Sequence, residues 1–503
     1  LTYEWVDEEG KQHSEAIMID AGVLFHDSFD VTFYNASRYL HHKTDKTHIP
    51  EQPISAILFT HKHLDHLGQL AYLVKAGYQL PVIHLNEMTM LQLKREMSTL
   101  KIERDVRDEI LSKCYTTSMT KSVNPRDPEK REKVKIAGTE IERWTEVIPG
   151  EKLGEVHHYP VLQIGKFQIR VGPMPHSDPG FMYDIITPAG SHRHTGDYKH
   201  DNEILLDMPP LDPWLKAWEP DSLSADSTGT TKEGHNPTEK DVRDSIVSLL
   251  SEHAGKRFIF PTLGSNYARL VSLVAAMGET DCKTLIIDGK AVQVLVRDAD
   301  KTDDFRKWAK RALGVKVLIS SQKEAKALVA GKKKGQRYAI AVTGTQDEPL
   351  SSINRAARDW LSADRYSLSE DDVVCFIQGV IPVGTNRWRR WGLHQEMEKF
   401  HGAKVLMPEV VEKESELILH SSGHSCREDC KRTIELSNMP FVIPVHGGPD
   451  QLKGHIEIAD ELGAESILVS GTEILRIEKG KKVSMYHALP LELVGVTLHT
   501  PSP

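Results

Sequence analysis

Cysteine is scarce and unpatterned. The chain has five (Cys114, Cys282, Cys375, Cys426 and Cys430), an odd number with no framework spacing. That excludes a disulfide scaffold and points to a reducing, cytoplasmic setting. Cys426 and Cys430 can touch on a helix and read as reduced thiols rather than half of a zinc site. Long apolar runs are also missing, which excludes a bilayer-spanning helix. No basic start leads into an apolar segment, so no secretory signal is expected. Net positive charge is absent too: at −9 the chain has no global attraction for a polyanion. A nucleic-acid substrate would need a local basic groove or bound metal cations to receive its phosphates.

What is present is a 503-residue chain with 39% hydrophobic and 27% charged residues. Those values describe a soluble globular protein of two domains or more. Its organising stretch is Thr60-His61-Lys62-His63-Leu64-Asp65-His66-Leu67-Gly68. The apolar run Ile54–Phe59 reads as a buried strand before it. Leu67, Leu70, Leu73 and Val74 recur at helical spacing after it, until Gly77. His61 and His63 then point the same way, while Asp65 and His66 start a helix and face a second position. Three histidines and an aspartate on one strand-to-helix turn can feed two metal ions, and these residue types hold zinc.

Before this loop, residues 16–22 read as a strand closing on Asp20, a turn former or a carboxylate orienting a metal-binding histidine. His26, His41, His42 and His48 read as surface residues. From about 95 to 155 the chain is strongly charged, and a solvated helical excursion is expected. Residues 157–200 alternate like antiparallel strands and present His176 and Asp197 at strand ends. Beyond Asp226, helical patterns alternate with compact apolar strands at 257–262, 284–288, 315–320, 338–343 and 373–378. That rhythm predicts an α/β unit with a parallel sheet. Its loops, including Gly264-Ser265-Asn266, can offer backbone N–H groups to a phosphate. Two later strands are expected to end in His420-Ser421-Ser422-Gly423-His424 and in Val445-His446-Gly447-Gly448.

The candidate ligands are therefore His61, His63, Asp65, His66, His176, Asp197 and His446, each at or just after a strand end. In this order they resemble the motifs of the metallo-β-lactamase superfamily. Asp226 in Ser-Ala-Asp-Ser-Thr, His424 in His-Ser-Ser-Gly-His and His446 in Pro-Val-His-Gly resemble the added motifs of its β-CASP nucleases. The wording of His194–Lys199, Thr343–Pro349 and the Ser-Gly-His element is most similar to ribonuclease J.

The resemblance implies an α/β fold: a metallo-β-lactamase αββα sandwich (1–228 and 426–503) with an inserted β-CASP α/β domain built on a parallel sheet (229–425). It implies two Zn2+ per chain, with Mn2+ or Mg2+ as substitutes. His61, His63 and His176 would hold one ion, and Asp65, His66 and His446 the other. Asp197 would bridge them, and Asp20 would support the loop. Asp226 and His424 would contact the scissile phosphate, making Asp65, Asp197, Asp226 and His424 the catalytic set. The His420–His424 loop, with His420, Ser422, Gly423 and His424, would help hold phosphate, to which the loop reading above adds Ser265 and Asn266. Two metals of this kind lower the pKa of water and polarise phosphoryl oxygens.

The expected activity is ribonuclease: hydrolysis of single-stranded, 5′-monophosphorylated RNA to 5′-phosphate products, from the 5′ end or internally. A homo-oligomer is compatible with it, and no membrane partner is expected. The alternatives are a DNA nuclease on the same scaffold, a small-molecule metallo-hydrolase and a silent RNA-binding subunit.

Overall fold

The computed structural model describes residues 1–6, 9–21, 24–25, 31–33, 54–68, 70, 80–118, 127, 129–150, 155–201, 208–332, 335–359, 366–381, 385–469, 473–478, 482–487 and 494–496. His26, His41, His42, His48, Leu73, Val74 and Gly77 lie outside them. The chain divides into two compact units, the first made of Leu1–Asn202, Asp207–His235 and Gly423–Pro503 and the second of Asn236–Ser422. The sequence reading sets those borders at 229 and 425.

Two sheets form the middle of the first unit. One has the order Thr2–Val6, Gln12–Ile19, Ile54–Leu58, Val82–Leu85, Cys114–Thr116, parallel beyond its first pair. The other runs Phe441–Val445, Ser222–Asp226, Gly190–His194, Pro179–Thr187, Phe167–Pro175, Val156–Ile164, Thr139–Pro149, Glu132–Ile136. Its first three strands are parallel and the rest antiparallel. Alternation along the strands sorts the apolar residues into layers. Ala56, Leu58 and Val82 meet Leu162, Phe167, Ile169 and Tyr183 between the sheets. Ile57, Phe59 and Ile83 instead pack under Leu93, Met97 and Ile110 of the helices Glu87–Thr99 and Arg104–Ser112.

On the outer face of the larger sheet, Leu223, Ala225 and Val442 pack against Cys430, Ile434 and Ile458. These come from the helices Arg427–Leu436 and Pro449–Leu462. The result is helix, sheet, sheet, helix, as the sequence implied. All five cysteines are free thiols. No helix of the described residues is long and apolar enough to cross a membrane.

One expectation fails between 95 and 155. The helices end at Ser112, and the charged stretch beyond them contributes the strand Cys114–Thr116 and the edge hairpin Glu132–Ile136 with Thr139–Pro149. Lys133, Lys135, Glu140 and Glu142 alternate with the inward Val134, Ile136 and Ile141, so these charges line the outer face of the edge hairpin. Opposite signs meet across the hairpin, with Lys133 2.7 Å from Glu140 and Arg143 3.0 Å from Glu132. Such cross-strand pairs favour the hairpin over a helix.

The second unit holds an all-parallel sheet in the order Lys316–Ile319, Thr284–Ile287, Ala339–Val342, Arg257–Pro261, Asp372–Cys375, Lys404–Leu406. Every residue of Thr284–Ile287, Ala339–Val342 and Asp372–Cys375 is buried, as strands covered by helices on both faces require. Five of the six strands match the expected segments, and Lys404–Leu406 adds a short edge. The helix Glu239–Glu252 starts in a capping box between Thr238 and Asp241.

Leu417–His424 is not a strand, contrary to expectation. In the part of it that belongs to the second unit, side chains replace ladder bonds. Glu412 Oε1 accepts from Leu419 N and His420 N, each at 2.9 Å, and Ser245 Oγ accepts from Ile418 N. Arg269 donates to the carbonyls of Leu419 and Ser421. An apolar run whose backbone is satisfied this way needs no neighbouring strand.

Candidate metal centre

The strand Ile54–Leu58 delivers Thr60–His63 to the short helix Leu64–Leu67, whose first turn carries Asp65 and His66. Four strands of the larger sheet end close by in sequence: Pro175 before His176, His194 before Asp197, Asp226 itself, and Val445 before His446. Their donor atoms converge in three sets, each within 4.8 Å. One is His61, His63 and His176. The second is Asp65, His66, Asp197 and His446. The third, Asp197, Asp226, His424 and His446, overlaps the second. All these residues belong to the first unit.

A metal-binding imidazole needs its other nitrogen held, which fixes the tautomer and the ring direction. Each of the five histidines in the first two sets meets that need. His61 Nδ1 lies 3.0 Å from Thr60 Oγ1, and that hydroxyl donates to Asp20 Oδ2 at 2.8 Å. The hydroxyl has one proton to give, so it accepts from His61 Nδ1. His61 Nε2 is left buried and unpartnered.

The same relay appears again at His446. Its Nδ1 is 2.6 Å from Thr228 Oγ1, which donates to Asp226 Oδ1 at 2.7 Å. His66 Nδ1 sits 2.7 Å from Asp20 Oδ2, and His176 Nδ1 donates to the Gly423 carbonyl at 2.6 Å. A Cβ on Gly423 would lie 2.4 Å from His176 Cε1, so only glycine fits. His63 Nε2 has Ser177 Oγ and Asp178 Oδ2 each at 3.2 Å, the latter an electrostatic contact rather than an aligned hydrogen bond.

The second nitrogens are then His61 Nε2, His63 Nδ1 and His176 Nε2, the last two 3.3 Å apart, and His66 Nε2 and His446 Nε2. They sit among carboxylates: His66 Nε2 is 3.1 Å and His446 Nε2 3.7 Å from Asp197 Oδ2, and Asp65 Oδ2 is 3.6 Å from His446 Nε2. This donor set fits divalent metal of the zinc type, with mixed imidazole and carboxylate ligands and one buried orphan nitrogen.

The electrostatics divide accordingly. Burial, then repulsion from His66 and His63, holds His61 well below the usual histidine range. Burial, with His424 beside it, pushes His176 down to about 3. Both are neutral and able to ligate. Against the opposing effect of burial, Asp197 and Asp20 raise His66, and Asp197 with Asp226 and Asp65 lifts His446 to about 11. Burial also opposes ionisation of the acids, but the imidazoles win: Asp65 falls to about 2, and Asp197 and Asp226 lie below the carboxylate range. A pocket that holds protons this tightly is one that attracts cations.

Asp226 is 1% exposed and serves two imidazoles, His446 through Thr228 and His424 directly, with His424 Nδ1 2.7 Å from Oδ2. His420, Ser422, Ser265 and Asn266 belong to the second unit. Asn266 is engaged at both ends, accepting from Arg269 N as a helix cap and donating to Gln378 Oε1. Gly423 turns its carbonyl to His176. The residues missed in the sequence are Thr60, Ser177, Asp178 and Thr228. Each adjoins or nearly adjoins a ligand or Asp226, but its partner is reached through space, so spacing gave no signal.

A profile of the metallo-β-lactamase superfamily matches residues 12–172. A profile described as the Zn-dependent metallo-hydrolase RNA specificity domain matches 410–469. Ribonuclease J of Pyrococcus abyssi is 24% identical, over 90% of this chain and 88% of its own. Ribonuclease J of Helicobacter pylori is 27% identical over 93% of this chain, which spans only 57% of that relative. Ribonuclease J2 of Bacillus subtilis is 24% identical, over 93% and 71%. Among solved structures, an Enterococcus faecalis protein described as of unknown function shares the fold, with a TM-score of 0.51 at 14% identity over 93% of this chain and 94% of its own. The motif order, the αββα layers, the two profiles and the ribonuclease J relatives together support a member of the metallo-β-lactamase superfamily of the β-CASP, ribonuclease J type.

Proposed function

We propose that the protein is a metal-dependent ribonuclease that hydrolyses RNA phosphodiester bonds with two zinc ions and leaves 5′-phosphate ends. The observation that carries this is the arrangement of the five imidazoles. Each has one nitrogen held by the protein; donor atoms of His61, His63 and His176 cluster together, and those of His66 and His446 cluster with Asp65 and Asp197. His61, His63 and His176 would hold one ion, Asp65, His66 and His446 the other, with Asp197 serving both. Two such ions would supply Lewis-acid charge to phosphoryl oxygens and lower the pKa of water at neutral pH.

The chain's own residues do the remainder. Asp226 Oδ2 fixes His424 through Nδ1 and favours its protonated form, so Nε2 keeps a proton to donate to the phosphate or the leaving 3′-oxygen. Asp20 and Thr60 hold His61 and His66 in place, and Gly423 orients His176. RNA as the substrate is supported by the relatives named ribonuclease J and by the RNA-specificity profile over 410–469.

The test is digestion of one RNA labelled at either end, beside a DNA of the same sequence, after chelation and with zinc or manganese restored. RNA cut only with metal, to 5′-phosphate products, is expected. Comparing 5′-monophosphate, triphosphate and hydroxyl ends separates cleavage from the end from internal cleavage. Equal rates on DNA, or cleavage that survives chelation, would overturn the proposal.

A further inference from the structure

In the second unit, the helix Asn386–His401 buries one face through Arg390, Leu393, His394 and Met397. At about 100° per residue the opposite stripe is Trp388, Gly392, Gln395 and Lys399, with Trp391 on its flank. Trp388 is 76% exposed and Trp391 47%. Among the described residues, exposed tryptophan or phenylalanine occurs on this helix alone. Gly392 lies on the side of Trp388 away from Trp391 around the helix, and a Cβ added there would meet nothing within 4 Å. Among the described residues nothing needs its bareness, although a helix-interior glycine destabilises by about 1 kcal/mol relative to alanine. Two indoles beside an uncovered turn of backbone form a shelf for something flat.

The charge around the shelf has one sign. Arg387 and Arg389 are exposed and make no ion pair among the described residues, and the first turn carries no acid. The acids farther along are engaged: Glu396 lies 3.1 Å from Arg358, and Glu398 3.1 Å from His394. In a chain of net charge −9, this is a local attraction for an anion. A protein partner or a second copy would need roughly 800 Å² of surface per side. The helix's other exposed ring, Phe400, lies more than two turns beyond Trp391, so the indoles, flanked by arginine, glutamine and lysine, do not continue into such a patch. A chain of flat aromatic bases on a polyanionic backbone matches both the shelf and its charge.

We propose that this stripe is a stacking platform for single-stranded RNA, with bases on Trp388 and Trp391 and phosphates on Arg387 and Arg389. It rests on RNA being the substrate class, and it assigns part of the recognition to the second unit.

The test uses the full chain, with fluorescence anisotropy of a labelled phosphorothioate oligouridylate over a range of KCl. The double variant Trp388→Ala/Trp391→Ala should bind about tenfold or more weakly, while Trp388→Phe keeps most of the affinity. Arg387→Gln/Arg389→Gln should flatten the slope of log K against log salt by about 1.4, roughly 0.7 per phosphate contact. Thermal unfolding of each variant at the wild-type temperature is required, so that a loss reads as lost contact. Wild-type affinity and slope in both double variants overturn the platform. So does wild-type self-association in sedimentation that the tryptophan variant abolishes. Binding is read without turnover. A chain that binds this RNA but never cuts RNA sinks the nuclease reading alone, whereas a nuclease whose variants bind normally sinks the platform alone.

Discussion

Asp178 offers a quantitative test of how the centre is held. Its carboxylate is fully buried, accepts from Lys62 Nζ at 2.5 Å and places Oδ2 3.2 Å from His63 Nε2. Burial opposes its ionisation, but Lys62 and His63 hold it below the usual carboxylate range. Asp178→Asn removes one charge from this buried group and does two separable things. It leaves the Lys62 ammonium, only 7% exposed, without a counter-ion, at a cost of about 3–5 kcal/mol. It also loosens the ring of His63, and loss of a residue that braces a metal ligand lowers metal affinity about 10–100-fold.

Lys62→Met separates the two effects. In the double variant Lys62→Met/Asp178→Asn no buried charge is stranded, so stability should recover most of the loss, while metal affinity stays low. Urea unfolding of the metal-free protein reads the first effect, and zinc competition with a fluorescent chelator reads the second. Wild-type zinc affinity in Asp178→Asn, or a double variant no more stable than Asp178→Asn, would refute the reasoning.

Other outcomes follow from the same geometry. His446→Ala and Asp197→Asn should each abolish RNA cleavage, lower the bound metal below two per chain in elemental analysis, and leave far-UV circular dichroism unchanged. His424→Ala should slow cleavage by about 10²–10⁴-fold with the metal content intact, since only a proton donor is lost. Buried His84 bonds to Tyr183 and Thr117, and burial pushes it down to about 3. In the unfolded chain it takes a proton near 6.5, so stability is whole above that pH and drains as pH falls toward 3. His84→Asn should therefore flatten the pH dependence of unfolding by up to about 1.4 kcal/mol per pH unit, measured in chelator between pH 6.5 and 4.5.

The candidate ligands were legible as a group because they are dictated by local chain. His61, His63, Asp65 and His66 share one turn, and His176, Asp197 and His446 stand at the ends of apolar strands that alternation reveals. The parallel sheet of the second unit showed for the same reason, through compact apolar runs at 257–262, 284–288 and 338–343. What stayed hidden acts across space. Thr60 and Thr228 are ordinary polar residues until Asp20 and Asp226 are seen behind them. The hairpin at 132–149 was masked because its edge-strand charges read as solvated helix. Leu417–His424 passed for a strand because Glu412, Ser245 and Arg269, remote in sequence, satisfy its backbone.

Asp20 takes up a left-handed conformation, with φ of 57°, and accepts from Thr60 N as well as from Thr60 Oγ1 and His66 Nδ1. One carboxylate thereby sets a ligand in each half of the centre, His66 directly and His61 through the threonine. With two ions bound as proposed, the first to arrive would freeze this shared post, and the second would meet an imidazole already aligned. Metal uptake would then be a linked event rather than two separate ones, and a zinc titration should rise in a single cooperative step. Asp20→Asn would split that step in two.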